Sequence, residues 1–204
     1  MRQTEAVTLA PAYPVRSARL LLRPVSPADV AAVVAYRSQP EVCRYVPFDP
    51  MNASDVRARL AGMWSRHTLE QEGEVLVLGA ELAATGELIG DLLLRWISAQ
   101  DECGELGYVF HPAYGGRGYA SEAAHAVLHL AFDELRLHRV IARVDARNTA
   151  SARLAARLGM RQEAHLVENS RFTGDWSDEL DFALLRKEWP AQALAGCPAC
   201  GQAS

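Results

Sequence analysis

Residues 109–123 read VFHPAYGGRGYASEA. An apolar strand runs into a turn holding Gly115, Gly116 and Gly118, and the turn opens a helix. Glycine tolerates positive φ and lets other groups approach the backbone, so successive N–H groups can converge on one concavity. The following helix adds its unpaired N-terminal N–H groups and about half a positive charge. Together these make a cradle for a diphosphate. A Walker A loop is excluded, because it needs a Lys after its last glycine and none stands near this turn. A dinucleotide fingerprint is excluded as well. Its third Gly or Ala would fall where Ser121 stands, and it belongs on the first strand of a parallel sheet. Taken alone, Gly-Gly-x-Gly is equally consistent with a surface turn that binds nothing.

Working outward, residues 104–110 (GELGYVF) form a strand with Glu105, Gly107 and Val109 on one face and Leu106, Tyr108 and Phe110 on the other. Residues 74–81 and 87–96 are two more strands, joined by a turn at Ala84-Thr85-Gly86. Further upstream, 19–25 (RLLLRPV) has the dense apolar character of a buried strand. Ser26-Pro27 caps a helix that stops at Pro40, 43–52 is a loop, and 54–69 is a second helix with Val56, Leu60, Met63 and Trp64 on one face. Downstream, the helix after the glycine turn runs to near Leu135. Residues 139–145 (RVIARVD) form a strand, and 149–158 a helix closed by Gly159. Residues 162–169 and 178–185 are strands separated by the polar run FTGDWSD. The order βααβββαβαββ begins with antiparallel hairpins and continues with a strand–helix–strand crossover. It implies an α/β fold: a mixed, mostly antiparallel sheet with a central parallel pair, flanked by helices. Residues 1–16 read as an irregular arm, 17–190 as one domain and 191–204 as a tail.

The composition narrows the function classes. The chain has 204 residues, 50% hydrophobic and 23% charged, enough to bury a core. Its 21 basic and 25 acidic residues give 21 − 25 = −4, and no basic run is present, which argues against general nucleic-acid binding. No run approaches the ~18–20 apolar residues of a membrane span, and Glu5 with two prolines breaks any signal-peptide pattern near the start. Cys43, Cys103, Cys197 and Cys200 are too scattered for a disulfide framework, so a reducing cytoplasm is the expected compartment.

The stretch YGGRGYASEA resembles the acetyl-CoA pyrophosphate loop of the GCN5-related N-acetyltransferases, written R/Q-x-x-G-x-G/A. Gly118 and Ala120 take the pattern's small positions; Gly115 stands where the family carries Arg or Gln, a departure that removes one side chain from over the phosphates. GELGYVFHP, LHRVIARVDARNTASARLAARLGM and GDWSDELDFALLRKEW extend the resemblance over about residues 17–190, nearest to the ribosomal-protein alanine acetyltransferase branch. The resemblance implies that the parallel pair splays, with the pantetheine of acetyl-CoA pairing to the backbone of Val109 and Phe110. It places the diphosphate on Gly115, Gly116, Arg117, Gly118, Tyr119 and Ala120, with Asn148 and Ser151 where the thioester arrives. It implies acetyl-CoA as cosubstrate and no metal. The acceptor is then an amine, on a protein N-terminus or a small molecule, handled by a monomer or homodimer.

Acetyl transfer needs an uncharged amine, an aligned carbonyl and a proton for the departing thiolate. The nominated base is Glu105, with a solvent-facing strand glutamate as the plain alternative; His111 is a second candidate. Ser151 is the group to donate to the thiolate or hold it, and Tyr114 and Tyr119 are other possible donors. The acceptor pocket is expected from the first two helices and from residues 171–178, with Arg171, Asp175 and Trp176 as its candidate contacts. A second reading keeps the acetyl-CoA site and drops catalysis, leaving a regulatory binding module. His125 and His129 sit at zinc-binding spacing without a third ligand and read as a solvated helix face. CPAC at 197–200 is half a zinc site.

Overall fold

A computed structural model describes residues 8–172 and 175–189; Cys197, Cys200 and the expected tail lie outside them. The strands are β1 (Val15–Arg16), β2 (Leu20–Pro24), β3 (Val75–Leu82), β4 (Leu88–Ser98), β5 (Cys103–Phe110), β6 (Arg139–Asp145), β7 (Arg161–Phe172) and β8 (Asp175–Leu185). The helices are α1 (Val30–Arg37), α2 (Pro40–Cys43), α3 (Ala53–Ala61), α4 (Tyr119–His129) and α5 (Thr149–Arg157). One sheet runs in the order β1-β2-β3-β4-β5-β6-β8-β7. Every neighbouring pair is antiparallel except β5 and β6, which the α4 crossover makes parallel. The expected fold class is the observed one.

The helices cover the sheet in two groups, each with its own core. The α4 and α5 side buries Ala123, Ala124, Ala126, Val127, Leu128, Leu154 and Ala155 against Leu92, Leu94 and Leu106. Small residues let α4 lie close on the strands. The α1–α3 side buries Val30, Val33, Tyr36, Val56 and Trp64 against Val75 and Val77.

Several boundaries differ from those expected, each for a local reason. Residues 8–16 are tied in rather than irregular. Leu9 is fully buried and exchanges two backbone hydrogen bonds with Leu69, while Val15 and Arg16 pair with β2. The helix expected over 54–69 ends at Ala61, because Gly62 leaves helical φ/ψ; Leu69 is thereby freed to pair with Leu9. Its cap is Asn52, whose Oδ1 accepts from the amides of Ser54 and Asp55. Pro40 starts the one-turn α2 instead of only ending α1, since proline at the first helical position loses no hydrogen bond. After His129 the long helix widens into a π turn, Leu130–Glu134. The polar run before Asp178 is strand on both sides, with Ser170 opposite Ser177 and Arg171 opposite Trp176. A two-stranded ribbon extending past the sheet is held by main-chain bonds and needs no apolar face.

Candidate active site

β5 and β6 pair over only three positions, Cys103 with Arg139, Gly104 with Val140 and Glu105 with Ile141. Beyond Glu105, β5 stays on β4 as far as Phe110, while β6 stays on β8 as far as Asp145. The two strands therefore diverge, and the inner edge of Leu106–Phe110 has no strand partner. A cavity of about 870 Å³ opens at this divergence. Glu105, Val109, Phe110, Ala120, Asn148 and Ser151 all line it, so six of the sequence-predicted residues meet in one place.

Pro112 and Ala120, on either side of the glycine turn, line this cavity, while Gly115, Gly116, Arg117, Gly118 and Tyr119 are not among its lining residues. His111 caps a short 3-10 turn (Pro112–Tyr114), its Nδ1 accepting from the Ala113 amide at 3.1 Å. Gly116 (φ +73°) and Gly118 (φ +79°) occupy the left-handed region, where a side chain would be strained. Gly118 is also the N-cap residue of α4. The amides from Gly116 to Ser121 have no acceptor among the described residues. With them goes the positive end of an 11-residue helix, so the residues present fit a diphosphate.

One brace of this turn escaped sequence reading. Glu122 accepts from the Ser17 hydroxyl (2.7 Å), the Arg19 amide (2.6 Å) and Arg19 Nε (2.7 Å). Arg19 Nη1 donates to the Arg117 carbonyl at 3.0 Å, and its guanidinium lies over the Tyr119 ring. Burial opposes the Glu122 charge, but the bonds from Ser17 and Arg19 win and hold its pKa below the usual glutamate value. Arg117 itself reaches over Tyr114.

On the face of β5 toward α4 and α5, Tyr108 meets Ser151. The Tyr108 hydroxyl lies 2.9 Å from Ser151 Oγ and 3.2 Å from the Ser151 carbonyl. Ser151 is held in turn by its amide, which donates to Asn148 Oδ1 at the start of α5. Burial raises the Tyr108 pKa, so the phenol stays protonated near neutrality. Strand alternation put Tyr108 on the correct face, but nothing in the sequence paired it with a residue 43 positions away.

On the opposite face, Glu105 lies across from Arg95, with 3.7 Å between Oε2 and Nη1. Gly107 follows, where an added Cβ would come within 3.0 Å of Leu93. Farther along, Asp91 is buried and accepts from Tyr36 Oη (2.5 Å), Arg37 Nε (2.9 Å) and Arg37 Nη2 (2.5 Å). Arg37, Asp91, Phe48 and Trp64 all line the cavity; Arg37 and Trp64 come from the two helical segments expected there, but none of the four was singled out from the sequence. Arg171, Asp175 and Trp176 are not among its lining residues; they stand on the ribbon end of β7 and β8. His125 also differs from expectation. It is half-buried and stacks on Trp189, while His129 Nδ1 is 2.7 Å from Asp133.

A mostly antiparallel sheet whose one parallel pair splays beside a glycine-capped helix defines the class: an α/β protein with its sheet open between β5 and β6. The family model for the GNAT acetyltransferase domain matches residues 19–161, and the chain belongs to that family. It is accordingly an N-acetyltransferase, and the family implies acetyl-CoA as cosubstrate. It is 32% identical over 171 residues to the uncharacterized N-acetyltransferase YnaD of Bacillus subtilis, covering 84% of this chain and 96% of that one. It is 23% identical over 171 residues to the spermidine N(1)-acetyltransferase of Escherichia coli, with 84% and 88% covered. Among solved structures, a GNAT-family acetyltransferase from Bacillus anthracis superposes with a TM-score of 0.75 at 31% identity, over 84% and 98% of the two chains. None of the helices in the described residues is long and apolar enough to cross a membrane.

Proposed function

We propose that this chain transfers acetyl from acetyl-CoA to a primary amine by direct attack within a ternary complex. The observation that carries the reading is the row of amides from Gly116 to Ser121, without acceptors, at the mouth of the gap between β5 and β6. These amides take the diphosphate, and Arg117 adds a guanidinium beside Gly115, Gly116 and Gly118. The edge of β5 at Val109 and Phe110 that faces away from β4 takes the pantetheine as an added strand would, and Asn148 fixes the first turn of α5 against it. Glu105 receives the proton the amine gives up as its nitrogen bonds to the acetyl carbonyl carbon. The carbon–sulfur bond then breaks, and the Ser151–Tyr108 pair donates a hydrogen bond, and finally a proton, to the leaving thiolate. An α-amine suits a site with one carboxylate as base. At pH 7 its neutral fraction exceeds that of a lysine amine by a gap worth about 3–4 kcal/mol.

The acceptor enters from the α1–α3 side of the cavity. Asp175 and Trp176 lie on the neighbouring ribbon with Arg171, where they contact the distal part of a large acceptor. The test follows free thiol after mixing the protein with acetyl-CoA and a panel of peptides, polyamines and aminoglycosides. Thiol release that requires an acceptor is the expected result. Tight coenzyme A binding without release for any acceptor would establish the binding module instead.

A further inference from the structure

Arg37 is a guanidinium nine-tenths buried, with one edge engaged and another unengaged. Its residue exposure is 5%, and it lines the cavity. Its Cζ lies over the Phe48 and Trp64 rings, 4.6 and 5.0 Å from their centroids. Nε and Nη2 are spent on the Asp91 carboxylate. Nη1 has no acceptor among the described residues, and it is not one of the side-chain atoms sealed from solvent. With one edge held by Asp91 and two aromatic rings against the group, Nη1 is the unbonded end of a side chain that lines the cavity.

Two N–H donors on a buried cation are not left bare at small cost, since an unsatisfied charged donor costs more than a neutral one. In the free protein water serves. When an acceptor fills the slot, whatever displaces that water must offer an oxygen. We propose that Arg37 Nη1 is an acceptor-recognition site that takes a carbonyl or carboxylate oxygen standing close to the reacting amine. This rests on the acetyltransferase reading above and narrows its acceptor class.

The placement along the sheet supports it. Arg95 pairs with Glu105, Leu93 with Gly107 and Asp91 with Val109, so Glu105 and the Arg37–Asp91 pair share one face four residues apart. That is about 13 Å of strand. Gly107 is the low point between them. An amine near Glu105 and an oxygen one or two residues along a peptide-like acceptor span this distance. A polyamine cannot satisfy the site, because its nitrogens are charged donors and none accepts. The Asp91 carboxylate gives a polyamine no compensation, since Tyr36 and Arg37 already occupy it.

The first test uses the protein unaltered. Rates of acetyl transfer are measured for trialanine amide and hexylamine, and for a short peptide and spermidine, each corrected to the fraction of free amine. The oxygen-bearing member of each pair should be favoured by about 10- to 100-fold in kcat/KM, the range set by one hydrogen bond to a charged group. The second test repeats the pairs with Arg37→Gln and Arg37→Lys, with coenzyme A affinity measured in parallel. The preference should collapse in Arg37→Gln and partly return in Arg37→Lys, while coenzyme A binding stays unchanged. Equal corrected rates within each pair, or a preference that survives Arg37→Gln, overturns the assignment. Absence of transfer to every amine overturns the acetyltransferase reading itself, a separately readable result.

Discussion

The two faces of β5 are held by different physics. Toward α4 and α5 the wall is apolar and rich in alanine, with the Tyr108–Ser151 contact set into it. Toward α1–α3 the wall carries charge: Arg37 buried with Asp91, and a half-buried Glu105 opposite an exposed Arg95. On the function proposed above, the first face would support a donor recognised mainly through backbone amides, a geometry that changes little with side-chain identity. The second presents ionic groups that must each be individually satisfied. Because its side chains alternate between the faces, one strand can carry two such unlike walls at once.

The largest effect that would break this contrast is in stability. Asp91→Ala leaves the Arg37 cation buried and uncompensated, and should cost about 3–5 kcal/mol in chemical denaturation. A loss under 1 kcal/mol would mean that the α1–α3 face does not depend on its buried ion pair.

Next come the two halves of the reaction. Glu105→Gln should lower kcat/KM about 100-fold or more without weakening coenzyme A binding. A kcat/KM within a few-fold of the parent chain would move the base elsewhere on that face. On the donor side, Gly118→Val forces a branched residue into φ +79°, and its Cβ would sit 3.5 Å from Arg19 Nη2. Calorimetry should show coenzyme A affinity falling about tenfold or more, in line with a strain of 1–3 kcal/mol. Retained affinity would sever the turn from the cofactor.

Tyr108→Phe separates proton donation from packing, since the ring stays and only the hydroxyl goes. It should lower kcat several-fold to tenfold with KM little changed, and Ser151→Ala combined with it should add less than its separate effect. Fully additive losses would show that the two hydroxyls do not act as a pair. The smallest effect is at Glu122. A carboxylate whose folded pKa is depressed stabilises the protein above its unfolded pKa, and that contribution fades as pH falls through the folded value. Thermal unfolding from pH 7 to pH 3 should therefore show a shallower acid loss for Glu122→Gln than for the parent chain.

Much of this was legible in the residues. The alternation in GELGYVF, the glycine spacing before α4 and the crossover order are local patterns. Local sterics and periodicity translate them directly into a strand, a positive-φ turn and a parallel pair. Helix ends were less legible, because Gly62 and the Leu9–Leu69 bridge compete with an otherwise unbroken helical pattern. The side-chain pairs of the site were not legible at all. Tyr108 and Ser151 are 43 residues apart, Arg37 and Asp91 are 54 apart, and Arg19 and Glu122 are 103 apart.

The amino-acid order by itself therefore determined the backbone machinery: which segments extend, where the chain turns with positive φ, and where a helix offers unpaired amides. Each of these depends on φ/ψ preferences within a few residues. The tertiary structure alone decided which charges are buried together, which hydroxyl faces Ser151, and that Arg37 keeps an edge for the cavity. Those outcomes depend on how helices and strands far apart in sequence settle onto one sheet, and only packing in three dimensions selects among the many partners each polar group has.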